Sequence, residues 1–258
     1  PKYDCLREGK PCELCFNGKK TNVLKHSCVK GSRIASIIAW LEAVKWSREK
    51  LESSVDAFIC PSRFMKAKMA QGGYRSEKLH ALHNFFDPKK LEGDLPEKKD
   101  HYCYVGRLSE EKGIKTLLKV AAQLPYTLKV LGTGPLEAEL REEYSNHPQI
   151  EFLGHVDWVT IKSTLGAARC SVLVSEWYEN CPLSILESLA LNTPVIGANI
   201  GGIPEMIKVP FDGSIIEPGD EQALKLAIVE MFGSGRNCLP PNLNTQAYLD
   251  SILRIYQS

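Results

Sequence analysis

Short apolar runs alternate with amphipathic segments from His101 onward, and this alternation limits the fold to few classes. Six runs have the length and composition of buried strands, at 102–105, 128–131, 150–153, 171–174, 194–196 and 214–216. Five segments between them repeat apolar residues at helical spacing, at 112–124, 135–144, 159–168, 183–191 and 221–232. Strand and helix in alternation, with short connections, predict a doubly wound parallel sheet of the Rossmann-like α/β class.

The first hundred residues contain too few strands for a sheet of that kind. The pattern predicts one long helix over 32–51, then a strand at 57–60, a helix at 62–70 and a strand at 78–82. A complete nucleotide-binding sheet needs about five or six strands. We therefore expect the end of an incomplete N-terminal α/β domain over 1–86, a linker over 87–100, a complete domain over 101–240 and a C-terminal helix within 241–258.

Composition excludes several classes of protein. Hydrophobic residues make up 43% and charged residues 24% of the 258 residues, so a disordered or collagenous chain is excluded. No apolar run approaches the ~18 residues that a membrane-spanning helix needs. Nine cysteines, several inside apolar runs, indicate a reducing compartment, and we expect a cytoplasmic protein. The chain opens with Pro1 and without the shape of a signal peptide, so we expect that residue 1 is not a native start.

The first candidate site follows the first strand of the complete domain. Gly106 allows close approach of a ligand to the backbone, and Arg107 and Lys112 add two positive charges before a helix expected to begin near Lys112. An arginine suits bidentate contact with a phosphate and a lysine suits a point-charge contact. The segment predicts a diphosphate site. An ordinary strand-to-helix turn with solvated charges is the alternative.

The second candidate site follows the fourth strand. Pro182 is suited to the first turn of a helix, which places Glu179 in the preceding loop and Glu187 about a turn and a half inside. One carboxylate could then bind a sugar and the other could bind ribose hydroxyls. The free N–H groups near Leu183 and Ser184 would face a phosphate. Two surface glutamates without a ligand are the alternative.

Glycines end other strands at the same predicted edge of the sheet. They lie in the segments 132–134, 154–156 and 199–205, the last of which contains Gly201-Gly202. Each alone indicates only a turn. Because ligands of such sheets bind beyond the carboxyl ends of the strands, their convergence favours a binding crevice at this edge.

Together these motifs resemble the donor-binding half of the retaining family 4 glycosyltransferases, group 1, which have the GT-B fold. The resemblance rests on Gly106-Arg107 with Lys112-Gly113, on the Glu-x7-Glu pair inside 178–190, and on Thr193-Pro-Val-Ile-Gly followed by Gly201-Gly-Ile-Pro-Glu. It extends over roughly residues 55–258. In that fold a last helix typically crosses back to the N-terminal domain. That domain, which we expect to be incomplete in this chain, carries the acceptor-side residues.

The resemblance implies a role for each residue. Arg107 and Lys112 would hold the donor diphosphate and act with Glu179, which contacts the sugar, as the catalytic group. Glu187 would bind the ribose. The base would lie near His155 and Val156, and the remaining donor-binding positions are Gly106, Asn180, Pro182, Leu183 and Ser184. The family uses no divalent metal, and the sequence contains no Asp-x-Asp.

These roles imply transfer of a sugar, with retention, from a UDP- or GDP-sugar to a glycan or a lipid-linked acceptor, in bacterial polysaccharide biosynthesis. The missing acceptor side implies that this chain alone binds donor but transfers negligibly. Two alternatives stay open. One is a nucleotide-sugar epimerase of the same fold, and the other is a non-catalytic nucleotide or nucleic-acid binding module. The lack of an aromatic-basic stripe argues against nucleic acid.

Four cysteines near the start form a separate candidate site. Cys5, Cys12, Cys15 and Cys28 include a Cys-Glu-Leu-Cys knuckle, and four thiolates would suit a structural Zn²⁺. One such knuckle with two outlying cysteines is a weaker signal than two paired knuckles. Cys60, Cys103 and Cys170, in or beside apolar strands, are predicted to be small buried hydrophobes.

The long helix predicted over 32–51 carries an apolar stripe beside basic residues. Five aliphatic side chains share the stripe, which consists of Ile34, Ile37, Ile38, Leu41 and Val44. Residues 1–55 hold eleven Lys or Arg against six Asp or Glu, a net charge of +5. A helix that packs its stripe into a core is one interpretation. Peripheral contact with the inner face of a membrane, or with a lipid diphosphate acceptor, is the other.

Overall fold

The computed structural model describes residues 6–7, 10–16, 18–29, 31–234, 238 and 245–257. The chain divides into two compact units. The first holds residues up to His83 together with those from Ser251 onward, and the second holds Asn84–Asp250. Within the described ranges, none of the helices has the length and apolar character needed to cross a membrane.

The first unit is built from short strands and helices. Its described strands are β1 (Leu6–Arg7), β2 (Lys10–Pro11), β3 (Phe58–Cys60) and β4 (Leu79–Ala81), and its helices are α1 (Asn22–Lys25), α2 (Arg33–Lys45), α3 (Arg48–Ser54) and α4 (Arg63–Gln71). Strands β1 and β2 pair antiparallel, whereas β3 and β4 pair parallel on either side of α4. The two strands predicted for this region are therefore confirmed.

The single helix predicted over 32–51 is wrong, because the structure has two helices there. The backbone leaves the helical region at Trp46, which has φ −103° and ψ 66°. Ser47 then starts α3, and its side chain accepts a hydrogen bond from the Lys50 N–H at 3.3 Å. Serine is among the strongest N-cap residues, so Ser47 marks the start of a new helix. The prediction missed it because the amphipathic pattern of α2 continues into α3.

The apolar stripe of α2 faces outward. The buried residues of α2 are instead the small side chains Ser36 and Ala39, and the helix packs on α1. The five aliphatic side chains of the stripe are between 48% and 74% exposed. Within the part of the chain that the structure describes, the stripe is therefore not packed into a core, in contrast to the first of the two interpretations.

The second unit contains a six-stranded sheet. Its strands are β5 (His101–Val105), β6 (Thr127–Leu131), β7 (Ile150–Gly154), β8 (Ser171–Leu173), β9 (Val195–Ala198) and β10 (Gly213–Ile216). Every pairing is parallel, in the order β10-β9-β8-β5-β6-β7. This is the doubly wound order, and the Rossmann-like prediction is confirmed.

Helices connect the strands on both faces of the sheet. They are α5 (Ile114–Ala121), α6 (Glu137–Glu143), α7 (Trp158–Gly166), α8 (Leu183–Ala190) and α9 (Glu221–Ser234), and α10 (Thr245–Gln257) follows. Tyr102 and Tyr104 lie in the core cluster with residues of α5 and α9, whereas Cys103 packs with Leu165 of α7. The chain adds β6 and β7 on one side of β5 and then β8, β9 and β10 on the other, and this reversal of strand order opens a crevice at the carboxyl ends of β5 and β8.

Residues 87–100, predicted as a linker, lie within the second unit. Pro88–Leu91 forms a 3₁₀ helix, and Leu91 packs against the cluster that contains Cys103. Lys98 Nζ donates to the Ala168 carbonyl at 3.0 Å and to Thr193 Oγ1 at 2.9 Å. These contacts anchor the segment to the sheet.

Candidate functional site

The side chain of Tyr104, on β5, holds the loop that follows this strand. The Tyr104 hydroxyl donates a hydrogen bond to the Arg107 carbonyl at 2.8 Å. Burial, followed by the charge of Glu179, raises the pKa of this tyrosine. A Cβ at Gly106 would lie 3.1 Å from the same hydroxyl oxygen, so the ring and the loop are in close contact. The Arg107 residue itself is exposed.

The sequence predicted that a helix begins near Lys112, but in the structure Lys112 is the last residue of a 3₁₀ turn. The turn spans Glu110–Lys112, and α5 starts two residues later at Ile114. Gly113 separates them because its φ of +67° is left-handed, which interrupts the helical backbone. The turn directs Lys112 toward the loop that follows β8, where its ammonium group finds a partner.

That partner is Glu179. Lys112 Nζ and Glu179 Oε1 are 2.5 Å apart, and their side chains are only 26% and 12% exposed. The same oxygen accepts a hydrogen bond from Ser175 Oγ at 2.7 Å. The crevice between β5 and β8 therefore contains a carboxylate held by one donor from each flanking loop.

The main chain at Glu179 is fixed by the loop after β9. The Gly202 N–H donates to the Glu179 carbonyl at 2.7 Å. A Cβ at Gly201 would lie 2.2 Å from that carbonyl oxygen, and Gly201 has a φ of +62°. Only glycine fits this approach without strain. The Gly201-Gly202 pair thus braces the loop between β8 and α8, residues 174–182, which is called the acidic loop below because it contains Glu176 and Glu179.

Helix α8 begins immediately after this loop. Pro182 caps it with an extended backbone, Leu183 is 51% exposed, and no acidic residue lies in its first turn. Asn180 is exposed as well. Asn84 Nδ2 donates to the Cys181 carbonyl at 2.9 Å and holds the entry to the helix. The first amides of α8, Ser184 among them, give this end of the helix a partial positive charge that suits an anion.

Glu187 lies in the second turn of α8, where the sequence placed it, and it is half-buried. Burial raises the pKa of its carboxyl group, and the charge of Lys90 opposes that shift. No contact among the described residues joins Glu187 to the Lys112–Glu179 pair. Its suggested contact with ribose stays a prediction.

His155 and Val156 follow β7, which is the edge strand of the sheet. His155 is exposed, and Val156 packs against the core cluster of Cys103 and Leu131. Strands β5 and β6 lie between β8 and β7 in the sheet. His155 and Val156 therefore share the carboxyl edge of the sheet but lie away from the β5–β8 crevice. The structure thus brings together Lys112 and Glu179, with Arg107 nearby in the chain, and places the base-contact candidates to one side.

Three residues of the site were missed by sequence reasoning: Tyr104, Ser175 and Asn84. Ser175 had a usable signal, because it directly follows an apolar run and precedes Glu179 by four residues. Tyr104 was assigned only to the strand core, and Asn84 lies 97 residues from its partner in sequence.

The four-cysteine zinc site stays a prediction, since Cys5 lies outside the described residues. Among the residues that the structure does describe, no group of three or more His, Cys, Asp or Glu side chains has an arrangement that could hold a metal ion. Cys60, Cys103 and Cys170 are buried, as predicted.

A doubly wound parallel sheet with a lysine, a carboxylate and a helix N-terminus at its switch point defines a nucleotide-binding type of α/β domain. The profile of the family described as Glycosyl transferases group 1 matches residues 86–245, more than half of the chain. The chain therefore belongs to the group 1 glycosyltransferases, and its fold is that of GT-B glycosyltransferases.

Individual relatives agree with this assignment. The amylovoran biosynthesis glycosyltransferase AmsK of Erwinia amylovora is 23% identical over 227 residues, which cover 82% of this chain and 56% of AmsK. The chain thus matches little more than half of that relative's length.

Two solved structures show the same fold. HepE of Anabaena in complex with UDP-glucose superposes with a TM-score of 0.66 and 20% identity, over 83% of this chain and 68% of HepE. The lipopolysaccharide outer core galactosyltransferase WaaB, in its apo form, gives a TM-score of 0.68 with 17% identity, over 80% of this chain and 62% of WaaB.

Proposed function

We propose that this protein is a glycosyltransferase that uses a nucleotide-diphosphate sugar, and that the crevice between β5 and β8 holds the donor. The observation that carries the proposal is the Lys112–Glu179 pair beside the N-terminus of α8, at the switch point of a group 1 glycosyltransferase domain. The UDP-glucose complex of a protein with the same fold supports a UDP-sugar as the first donor to test.

The charges of the site match the chemistry of a leaving diphosphate. Breaking the bond between the sugar and the diphosphate leaves additional negative charge on the phosphate oxygens. Arg107, Lys112 and the first amides of α8 are the groups that would stabilise it, because fixed positive charges and dipoles act strongly where water is excluded. Glu179 would hold a sugar hydroxyl, and Glu187 the ribose.

Finer features of the reaction belong to the same proposal. We place the enzyme among the retaining family 4 glycosyltransferases, with a glycan or lipid-linked acceptor. A relative in amylovoran biosynthesis supports a role in polysaccharide assembly. We place the reaction on the cytoplasmic side of the membrane. We further propose that this chain binds donor on its own but needs an acceptor-side domain for efficient transfer.

A thermal shift experiment tests the donor site. The wild-type protein is titrated with UDP, GDP, UDP-sugars and GDP-sugars, and a ligand at roughly 100 times its Kd should stabilise it by about 2.7 kcal/mol. Arg107→Ala and Lys112→Ala should lose the shift. Lys119→Ala is the matched control, since Lys119 is an exposed lysine on α5 that pairs with Glu221 at 2.7 Å. Wild-type shifts in both site variants would contradict the phosphate assignment.

We also propose that the exposed stripe of α2 contacts an anionic membrane surface. Apolar patches of this kind mark interaction sites. The exposed cations Arg33 and Lys45 lie on the same helix, and Lys45 and Lys50 lie 5.9 Å and 4.9 Å from the ring centre of half-exposed Trp46. Cations beside an aromatic and an aliphatic stripe complement anionic headgroups above acyl chains.

Sedimentation with vesicles tests this surface. The protein should bind vesicles that contain phosphatidylglycerol more strongly than vesicles of phosphatidylcholine alone, and the double variant Arg33→Glu/Lys45→Glu should lose the difference. Equal binding by the variant would overturn the membrane proposal. So would a dimer, measured by analytical ultracentrifugation, that Leu41→Asp converts to a monomer, because the stripe would then be covered by a second copy.

A further inference from the structure

Glu179 shares one carboxylate oxygen between two donors of different character. Lys112 reaches it from the β5 loop on a long side chain that is 26% exposed. Ser175 reaches it at 2.7 Å from a fully buried position two residues after β8. The first donor is an ammonium group that can exchange partners, whereas the second is a short hydroxyl fixed in the core.

We propose that Ser175 is the positioning residue of the donor site: it keeps the Glu179 carboxylate aimed at the sugar when the diphosphate draws hydrogen bonds of Lys112 to itself. This inference rests on the proposed function. In the absence of donor, Lys112 neutralises Glu179. A diphosphate brings several phosphate oxygens within reach of the same ammonium group, and Lys112 then divides its hydrogen bonds between them and the carboxylate.

The consequence for Glu179 follows from its surroundings. A carboxylate that is 12% exposed pays a desolvation cost if its counter-ion leaves, and a remaining hydrogen bond favours the charged form. Ser175 supplies that bond from a position that ligand binding does not need to disturb. Together with the Gly202 contact to the Glu179 carbonyl, it fixes both the side chain and the main chain of this residue.

Ser171, the first residue of β8, offers a matched control. It is also buried, but its hydroxyl donates to Ser188 Oγ at 2.8 Å, inside the contact between β8 and α8. Ser171→Ala and Ser175→Ala thus remove the same atom from two buried serines four residues apart. Only the second removal reaches Glu179.

Calorimetric titration with UDP and with UDP-glucose separates sugar recognition from phosphate recognition. The quantity to compare is the ratio of the two Kd values, which measures what the sugar adds. We expect Ser175→Ala to leave the Kd of UDP within about twofold and to weaken the sugar contribution about tenfold, the loss of one hydrogen bond to a charged group. Ser171→Ala should change neither.

The carboxyl carbon of Glu179 provides a readout that needs no ligand. Its carbon-13 NMR resonance should move in Ser175→Ala relative to wild type and to Ser171→Ala, because one hydrogen-bond donor to this carboxylate is lost. An unchanged resonance together with an unchanged sugar contribution in Ser175→Ala would overturn the positioning role alone. If wild type bound neither UDP nor any nucleotide sugar, the proposed function itself would fall, and this inference with it.

Discussion

Gly201 gives the most demanding test of how the acidic loop is held. Its backbone has a φ of +62°, and an added Cβ would lie 2.2 Å from the carbonyl oxygen and 2.7 Å from the amide nitrogen of Glu179. An alanine in the left-handed region costs about 1–2 kcal/mol. Overlap with fixed main-chain atoms adds roughly 1–3 kcal/mol, since the loop must move to relieve it. Gly201→Ala should therefore lose about 2–5 kcal/mol of unfolding free energy.

Gly219 separates the two contributions. It has a similar φ of +77°, and an added Cβ would meet no heavy atom within 4 Å. Gly219→Ala should lose only the conformational part, about 1–2 kcal/mol, and should keep full affinity for nucleotide. Urea unfolding of both variants, followed by fluorescence of the tryptophans, measures the difference.

The same substitution should affect function through Glu179. A displacement of about 1 Å at a binding loop can cost on the order of 100-fold in a reaction that depends on its geometry. We expect Gly201→Ala to weaken UDP-glucose binding at least tenfold under conditions where it is still folded. Equal stability of the two glycine variants, with unchanged UDP-glucose affinity in Gly201→Ala, would refute the bracing role of this turn.

Three further predictions concern polar groups that are buried or half-buried. Burial lowers the pKa of Lys98 from 10.5 to about 8, so between these pH values the unfolded chain binds a proton that the folded chain lacks. Wild type should therefore gain stability relative to Lys98→Met as the pH rises through that window, and parallel pH profiles of the two proteins in urea unfolding would contradict this. The Tyr102 hydroxyl is buried with no hydrogen-bond partner among the described residues, so Tyr102→Phe should raise the unfolding free energy by up to about 1 kcal/mol, whereas a clear loss would show a hidden partner. Asn84→Ala removes the donor to the Cys181 carbonyl and should weaken UDP binding severalfold, as measured by calorimetry. An unchanged Kd would show that the N-terminus of α8 keeps its position without this hydrogen bond.

The sheet could be predicted from the sequence because its strands are buried on both faces. Runs such as 102–105 and 128–131 are nearly continuous in apolar residues, and the structure places β5 and β6 within one residue of them. Helix boundaries were less accessible. The break at Trp46 depends on one serine cap, and the late start of α5 depends on the left-handed backbone at Gly113.

The residue types of the site were also predictable, but their contacts were not. Lys112 and Glu179 are 67 positions apart, and each belonged to a motif that the sequence singled out separately. Their pairing depends on β5 and β8 being neighbours in the sheet, which spacing along the chain does not encode. Ser175 and Tyr104 act through such contacts as well, which is why motif reasoning passed over them.

Chemical shift mapping measures where the nucleotide binds. Protein labelled with nitrogen-15 is titrated with UDP, and the backbone amides that shift are assigned. We predict that the largest shifts fall at residues 106–113 and 180–184, on the two loops that flank the β5–β8 crevice, and that Lys112→Ala abolishes them at the same UDP concentration. Saturable shifts confined to other parts of the second unit, or to the first unit, would contradict a donor site in the β5–β8 crevice.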